Sequence, residues 1–452
     1  MSTPGLLTIV LAAGKGTRMK SALPKVLHQI AGLSMLGHVL KLTGPSSGAR
    51  LAVVIGPDMD NVRAEALKCV PPANVFLQAS QLGTGDAVLA ARDAIAAHTG
   101  DVIVLYCDTP LLTLETIVRL RSALDEGANV AVLGFHAINP SGYGRLLTSG
   151  GELTAIREEK EATDAEREIT FCNSGVLAFR CPDLLAILGS ISNANAKGEF
   201  YLTDAVEIAR ARGLKAVAVS CPEEEVLGIN SREQLAAAEA IFQRRARQHA
   251  MAEGTTLIAP DTVYFSHDTR LGRDITIEPN VFFGTGVSVA DNVMIHANCH
   301  IVETRIRAGA RIGPFARTRP GADIGTDVHI GNFVEVKNMT LDAGAKANHF
   351  AYLGDGRVGA GANIGAGTIF CNYDGFNKHR TEIGAGAFVG SNSSLVAPVR
   401  IGEGAYVGSG SVITKDVPAG ALALERSEQR VVEGWAAKFR TVMARKKAKA
   451  AE

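Results

Sequence analysis

The chain has 452 residues, of which 46 are Lys or Arg and 46 are Asp or Glu. That length exceeds one hydrophobic core and calls for at least two domains, while the cancelled charge speaks against nucleic acid or an anionic membrane as partner. The seven scattered cysteines form no Cys-x-x-Cys pair, which argues against a disulfide framework or structural zinc and suits a reducing cytoplasm.

The first apolar run, Leu6 to Leu11, has no basic stretch before it and stops quickly, so it reads as a strand and not as a signal peptide. No segment approaches the ~18 uninterrupted apolar residues of a membrane span. The run opens into "LAAGKGTRMKSALPK", residues 11–25, with two glycines and four cations. Backbone N–H groups and cations after a strand suit a phosphate. A Walker loop does not fit, because Ile9 stands at its first glycine and Gly16 follows the lysine. A dinucleotide fingerprint does not fit either, because Met19 stands at its third glycine.

Up to about residue 230, short strands alternate with helical patterns. "LLTIVL", "LAVVIG", "VIVLYC" and "NVAVLGF" read as strands, and Pro24 to Leu40, Met59 to Leu67 and Gly85 to Ala97 read as helices. The alternation predicts a parallel sheet covered on both faces, with ligands beyond the carboxyl ends of its strands. The glycine loop occupies one such end and Asp108 another. Asp108 suits Mg²⁺, which favours one or two protein oxygens plus substrate phosphates, or it is a turn residue before Pro110. Lys20, Glu159 and Lys160 read as solvated charges.

Residues 231 to about 250 predict one helix, with Ser231 and Gln234 as a capping box and Leu235, Ala238, Phe242 and Ala246 on one face. Gly254 ends it, and it joins the two halves. After Thr255 an aliphatic residue recurs every six positions: Ile275, Val281, Val287, Val293; Ile312, Ile324, Ile330, Val336; Val358, Ile364; then Ile383, Val389, Leu395, Ile401, Val407, Ile413. That period predicts a parallel β-helix in which each hexapeptide makes one strand and one turn. The pattern breaks at 337–357 and at 370–382, and these breaks are expected to be loops carrying His349, Tyr352, Asn372, Tyr373 and Lys378. The basic C-terminal end reads as a solvated tail.

The motifs "LAAGKGTRM", "LPKVL", "QLGTGDA", "YCDTPLL", "GYGR", "FCNSG" and "GEFYLTD" are followed by "GPFARTRPGA", "GNFVEVKN", "NIGAGTIFCNYDGFNK" and "FVGSNSSLVAP". In this order, over nearly the whole chain, they resemble the bifunctional N-acetylglucosamine-1-phosphate uridylyltransferase and glucosamine-1-phosphate N-acetyltransferase family. The resemblance implies an α/β, Rossmann-like nucleotidyltransferase domain (1–230), a long linker helix (231–254) and a left-handed parallel β-helix of hexapeptide repeats with a C-terminal tail (255–452). It further implies a cytoplasmic homotrimer that acts on glucosamine-1-phosphate, acetyl-CoA and UTP, with Mg²⁺ at the uridylyltransferase site.

By the same resemblance, Leu11, Ala12, Ala13, Gly14, Lys25, Gln78, Gly83, Thr84, Tyr106 and Asp108 surround the nucleotide, and Gln78, Gly83 and Thr84 meet the uracil. Lys15 and Arg18 meet the triphosphate, Arg18 steadying the departing pyrophosphate and Lys25 the phosphate under attack. Gly144, Glu158 and Asn173 take the sugar, and Asn230 joins Asp108 on the metal. In the second half His349 is the expected base, because a histidine pKa of ~6.5 suits proton removal near neutral pH. Glu335 is expected to orient its ring. Arg319, Lys337 and Lys378 would hold the phosphate, and Tyr352 and Asn363 the amino sugar. Ala366, Asn372, Tyr373, Ser391, Ser409 and Arg426 would surround acetyl-CoA. One departure is Cys107, where the family usually carries glycine. Two alternatives stand beside this reading: a single-activity sugar-1-phosphate nucleotidyltransferase whose coil serves only assembly, and a trimeric scaffold with degenerate sites.

Overall fold

The computed structural model describes residues 5–14, 16–44, 49–195 and 197–450, so Lys15 lies outside the described residues. The chain forms two compact units, Met1–His249 with Phe265–His267, and Ala250–Tyr264 with Asp268–Glu452. The helix expected to join the two halves spans Arg232–Ala252, and most of it belongs to the first unit. There Ala238 is buried and Leu235 and Phe242 pack beside Ile30, Met35, Leu111 and Ile229.

The first unit is built on a twisted sheet. Its strands are β1 (Leu6–Leu11), β2 (Arg50–Ile55), β3 (Val75–Leu77), β4 (Asp101–Tyr106), β5 (Val130–His136), β6 (Arg145–Ser149), β7 (Glu152–Arg157), β8 (Phe171–Arg180) and β9 (Ala216–Ser220). The order across the sheet is β9-β5-β8-β4-β1-β2-β3, with the β6–β7 hairpin attached to β8. β1 is buried along its whole length, its alternate side chains feeding a core on each face. The sheet is mixed, not all-parallel as expected: β8 runs antiparallel to both β4 and β5. A second difference lies at Pro24–Leu40. A 3₁₀ turn (Lys25–Leu27) and a tight hairpin (Gln29–Ile30 with Leu33–Ser34) precede a helix that begins at Met35. The left-handed backbone at Ala31 and Gly32 forces that reversal.

The second unit is a coil of short parallel strands. Ile277 pairs with Ile295 and Phe283 with Ile301, so one rung holds three hexapeptides. The aliphatic series from Ile275 to Ile413 is buried throughout, as the six-residue period requires. Residues 337–357, expected as a loop, are part of the coil. Ile330 pairs with Ala347 and Val336 with Leu353, rungs one residue shorter than the Ile312–Ile330 and Thr318–Val336 rungs just before them. Losing one residue per rung shifts the aliphatic phase while the ladder continues, which is why the pattern looks broken. The break at 370–382 is a true excursion between the strands Ile369–Cys371 and Thr381–Ile383, pinched by a bridge between Tyr373 and Lys378. Among the described residues, no helix is long and apolar enough to cross a membrane.

Candidate functional site

β1 and β4 are paired so that Leu11 faces Tyr106, and the glycine loop and Asp108 therefore leave the sheet side by side. The Cys107 N–H donates to Leu11 O at 3.2 Å, and the Ile229 N–H donates to Asp108 O at 2.9 Å. The second bond draws the start of the long helix to the same place. There the Gln234 N–H donates to Ser231 Oγ at 3.2 Å, while the Gln234 side chain accepts from the Asn230 N–H at 2.7 Å. The helix cap thus also holds Asn230.

Lys25 closes this frame. Its Nζ lies 2.7 Å from Asp108 Oδ2 and 3.1 Å from Asn230 Oδ1, and the residue is 9 % exposed. A carboxylate and an amide oxygen converging on one cation are the hard donors that Mg²⁺ accepts. No cluster of three or more His, Cys, Asp or Glu suited to a metal occurs among the described residues, so these two oxygens would need phosphate oxygens to complete a shell. Gly16 sits at φ +62°, and a Cβ there would run into the Lys25 Cβ. Burial pushes the neighbouring Cys107 thiol up, which keeps it protonated and unreactive.

A cleft of about 330 Å³ opens here, lined by Leu11, Ala13, Gly14, Lys25, Gln78, Gly83, Thr84, Tyr106, Cys107 and Asp108. No atom lies within 4 Å of a Cβ built on Gly14, so the glycine leaves the cleft open and relieves no packing. Burial drives the Tyr106 phenol up, so it stays protonated. Four wall residues were not foreseen, Val26, Gln81, Ala87 and Glu199. Gln81 Nε2 donates to Ala13 O at 2.6 Å and ties the "QLGTGDA" loop to the glycine loop. Ala12 is buried, its N–H donating to Val54 O at 2.8 Å, so it supports the loop from beneath.

Arg18 does not line this cleft. It is exposed on a 3₁₀ turn and borders an adjoining groove of about 520 Å³ shared with Asn230, Ser231 and Gln234. Gly144 and Asn173 touch each other, and Glu158 stands close enough to Tyr106 of the cleft to act on it by its charge. The Asn173 N–H donates to Gly144 O at 2.8 Å, and Glu158 Oε1 accepts from Thr203 Oγ1 at 3.2 Å. Burial raises the Glu158 carboxyl, and Asp204, beside it, is pushed up to about 6 by burial and by Glu207, Glu161 and Glu158. Glu159 is not the solvated charge expected: it pairs with the buried Arg145 at 2.7 Å.

In the second unit the register aligns the expected groups along one edge. Asn332 pairs with His349, and the same stack continues through Ile364, Val389 and Val407, two residues before Ala366, Ser391 and Ser409. A ladder of backbone bonds follows that edge: Gly367 N–H to His349 O, Asn392 N–H to Ala366 O at 2.7 Å and Gly410 N–H to Ser391 O at 2.8 Å. The Arg426 guanidinium reaches Ser409 O at 2.8 Å. His349 is exposed, and its Nδ1 lies 2.6 Å from Asn332 Oδ1. An amide oxygen only accepts, so Nδ1 carries the proton and Nε2 keeps its lone pair.

Glu335 does not orient that ring. It lies on a different sheet of the coil from His349, and its carboxylate takes Arg319 at 2.8 Å and Arg317 at 3.5 Å. Opposite polar groups on one stack pair with each other first, which leaves the ring to Asn332, a partner not foreseen. Tyr352 is the register partner of Glu335, and Lys337 of Gly354. Asn363 pairs with Lys346 on the sheet of His349. The Asn372 amide is buried, held by Asp355 and 3.4 Å from the Tyr352 hydroxyl, and Asp355 also takes Asn338 at 2.7 Å. Lys378 Nζ stands 4.1 Å over the Tyr373 ring.

Comparison with known proteins bears on both units. Residues 8–168 match the MobA-like NTP transferase domain, and residues 380–415 match six repeats of the bacterial transferase hexapeptide. The bifunctional protein GlmU of Azorhizobium caulinodans is 62 % identical over 99 % of this chain and 100 % of its own length. The GlmU proteins of Xanthobacter autotrophicus and Paramagnetospirillum magneticum are 59 % and 54 % identical, each over 99 % of this chain and 100 % of their own length.

Proposed function

The chain belongs to the GlmU family of bifunctional proteins, and from that premise we propose that each of its two transfers is carried by one unit and by the residues described above. The protein is a transferase that acetylates glucosamine-1-phosphate with acetyl-CoA. It then transfers uridylyl from UTP to the N-acetylglucosamine-1-phosphate formed, releasing pyrophosphate and UDP-N-acetylglucosamine. Its folds are a Rossmann-like nucleotidyltransferase domain and a left-handed parallel β-helix. The coil is thus more than an assembly module.

We assign uridylyl transfer to residues 1–230. A phosphate oxygen of the sugar attacks the α-phosphorus in line, so positioning and charge neutralisation dominate over covalent help. Lys25 meets the attacked phosphate, Gly14 lets the chain approach closely, and Arg18, across Asn230, faces the leaving pyrophosphate. Leu11, Ala12 and Ala13 shape the wall, Gln78, Gly83, Thr84 and Tyr106 the base and ribose end. Gly144, Glu158 and Asn173 hold the sugar. Asp108 and Asn230 would hold Mg²⁺, which when bound neutralises phosphate oxygens.

We assign acetyl transfer to residues 255–452, reached through the helix of 231–254. The amine nitrogen attacks the thioester carbonyl, the C–S bond breaks, and coenzyme A leaves as thiolate. His349 Nε2 takes the proton that the nitrogen loses. Arg319, Lys337 and Lys378 hold the phosphate, with Tyr352 and Asn363 on the sugar. Ala366, Asn372, Tyr373, Ser391, Ser409 and Arg426 hold acetyl-CoA. The observation that carries this reading is the single edge on which His349, Ala366, Ser391 and Ser409 follow one another. A coil that served assembly alone would need no such row. We place the protein in the cytoplasm, as its seven free thiols suggest, and infer a homotrimer from the three-sided coil.

Product analysis with glucosamine-1-phosphate, acetyl-CoA and UTP tests the assignment. The wild type should yield the acetylated UDP-sugar, and His349→Ala should yield it only when N-acetylglucosamine-1-phosphate is supplied. Full acetylation by His349→Ala would remove the proposed base.

A further inference from the structure

Choice of nucleobase has a source just behind the cleft wall. Gln78 follows β3, is 6 % exposed and presents an amide whose two ends are chemical opposites, Oε1 accepting and Nε2 donating. Nε2 donates to Gly83 O at 2.9 Å and to Asp86 Oδ2 at 2.8 Å. Turned over, the amide would set its oxygen against a carbonyl and a carboxylate, losing both bonds and meeting negative charge. Chemistry, then, dictates the orientation. Asp86 is itself held, because the Leu82 N–H donates to the same Oδ2 at 3.2 Å. None of the described residues donates to Gln78 Oε1, which is left for what enters the cleft.

We propose that Asp86 is a positioning residue that selects uracil over cytosine by locking Gln78 with its carbonyl oxygen toward the base. This rests on the assignment of the cleft to UTP. The pairing edge of uracil carries one donor, N3–H, which Oε1 accepts. Cytosine carries a bare lone pair at N3, which an oxygen repels. Asp86 touches no substrate and acts only through the amide it aims. Without its carboxylate only the bond to Gly83 O still holds the amide, so the turned-over orientation, in which Nε2 satisfies cytosine N3, costs one bond instead of two and meets no negative charge.

The experiment compares kcat/KM for UTP and for CTP in the full chain carrying Asp86→Leu, Asp86→Asn or Gln78→Leu, with N-acetylglucosamine-1-phosphate as acceptor. Asp86→Leu should lower the UTP-to-CTP ratio at least about tenfold, the worth of one neutral hydrogen bond, mainly through KM for UTP. Asp86→Asn keeps the shape and offers both a donor and an acceptor, so its ratio should fall between those of wild type and Asp86→Leu. Should Asp86→Leu fail to fold, Asp86→Asn decides alone. A ratio within twofold of wild type in the folded Asp86 variants, while Gln78→Leu cripples UTP use, overturns the role of Asp86 and leaves the nucleotide site standing. Undiminished UTP use by Gln78→Leu overturns the site assignment itself.

Discussion

Lys25 Nζ lies 2.7 Å from Asp108 Oδ2, so the ammonium assigned to the attacked phosphate is the partner of the carboxylate assigned to the metal. Both side chains are mostly buried, at 10 % and 23 % side-chain exposure, so neither charge is cheaply left alone. Asp108→Asn should cut uridylyl transfer by about 10²–10³, the loss typical of one charge-stabilising group. It should also raise the Mg²⁺ needed for half-maximal rate. Acetyl transfer should stay within about twofold, because sites with no shared partners act independently. Pyrophosphate and thiol release, assayed separately, check both halves. Loss of both activities in folded protein would contradict the division between the units.

Gly16 is fixed by Lys25. At φ +62° any other residue costs about 1–2 kcal/mol, and the added methyl would collide with the Lys25 Cβ. Gly16→Ala should therefore push Lys25 from Asp108 and slow uridylyl transfer at least about tenfold, with melting lowered by only a few degrees. Gly14→Ala meets no protein atom within 4 Å, so it should leave melting unchanged and weaken UTP binding alone. Equal melting losses in the two variants would show that Gly14 serves packing instead.

What could be read from the sequence followed from period and chemistry together. Ile383, Val389, Leu395, Ile401, Val407 and Ile413 announced the coil because a narrow core admits one aliphatic residue per hexapeptide. Ser231 and Gln234 announced the helix, though not that the Gln234 side chain would bond to the Asn230 N–H. The antiparallel β8 escaped because the buried run in "FCNSGVLAF" looks the same in either direction. Residues 337–357 passed for a loop because a rung shorter by one residue shifts the aliphatic phase while keeping the ladder. Asn332 and Asp86 were invisible for a further reason. Each acts by bonding to a side chain remote along the strand or loop, and composition carries no trace of such a pair.

The Asn332 amide is expected to set the tautomer of His349. Asn332→Ala should lower kcat for acetyl transfer about tenfold, as for one lost hydrogen bond, and leave KM for acetyl-CoA near wild type. His349→Ala should lose about 10²–10⁴, the usual reach of general base catalysis. Glu335→Gln should instead raise KM for glucosamine-1-phosphate, since its carboxylate holds Arg319 and not the imidazole. A kcat loss in Glu335→Gln matching that of His349→Ala would restore Glu335 to the ring.

Asp204 makes the first unit sensitive to pH. Its carboxyl is pushed up to about 6, by burial first and then by Glu207, Glu161 and Glu158, against an unfolded value near 3.9. Between about pH 4 and pH 6 the folded chain holds a proton that the unfolded chain has released, so stability falls as pH rises through that window. Above about pH 6 the destabilisation from this charge is fully present, and below about pH 4 it is gone. Asp204→Asn removes the charge at constant shape, and no helix cap is lost because the side chain makes none. The variant should melt a few degrees higher than wild type near pH 8, with the difference shrinking through pH 6 and vanishing below about pH 4. Scanning both proteins across that range reads the result directly. A variant less stable than wild type at pH 8 would mean that the carboxylate is held by attraction, with the neighbouring glutamates protonated or turned away.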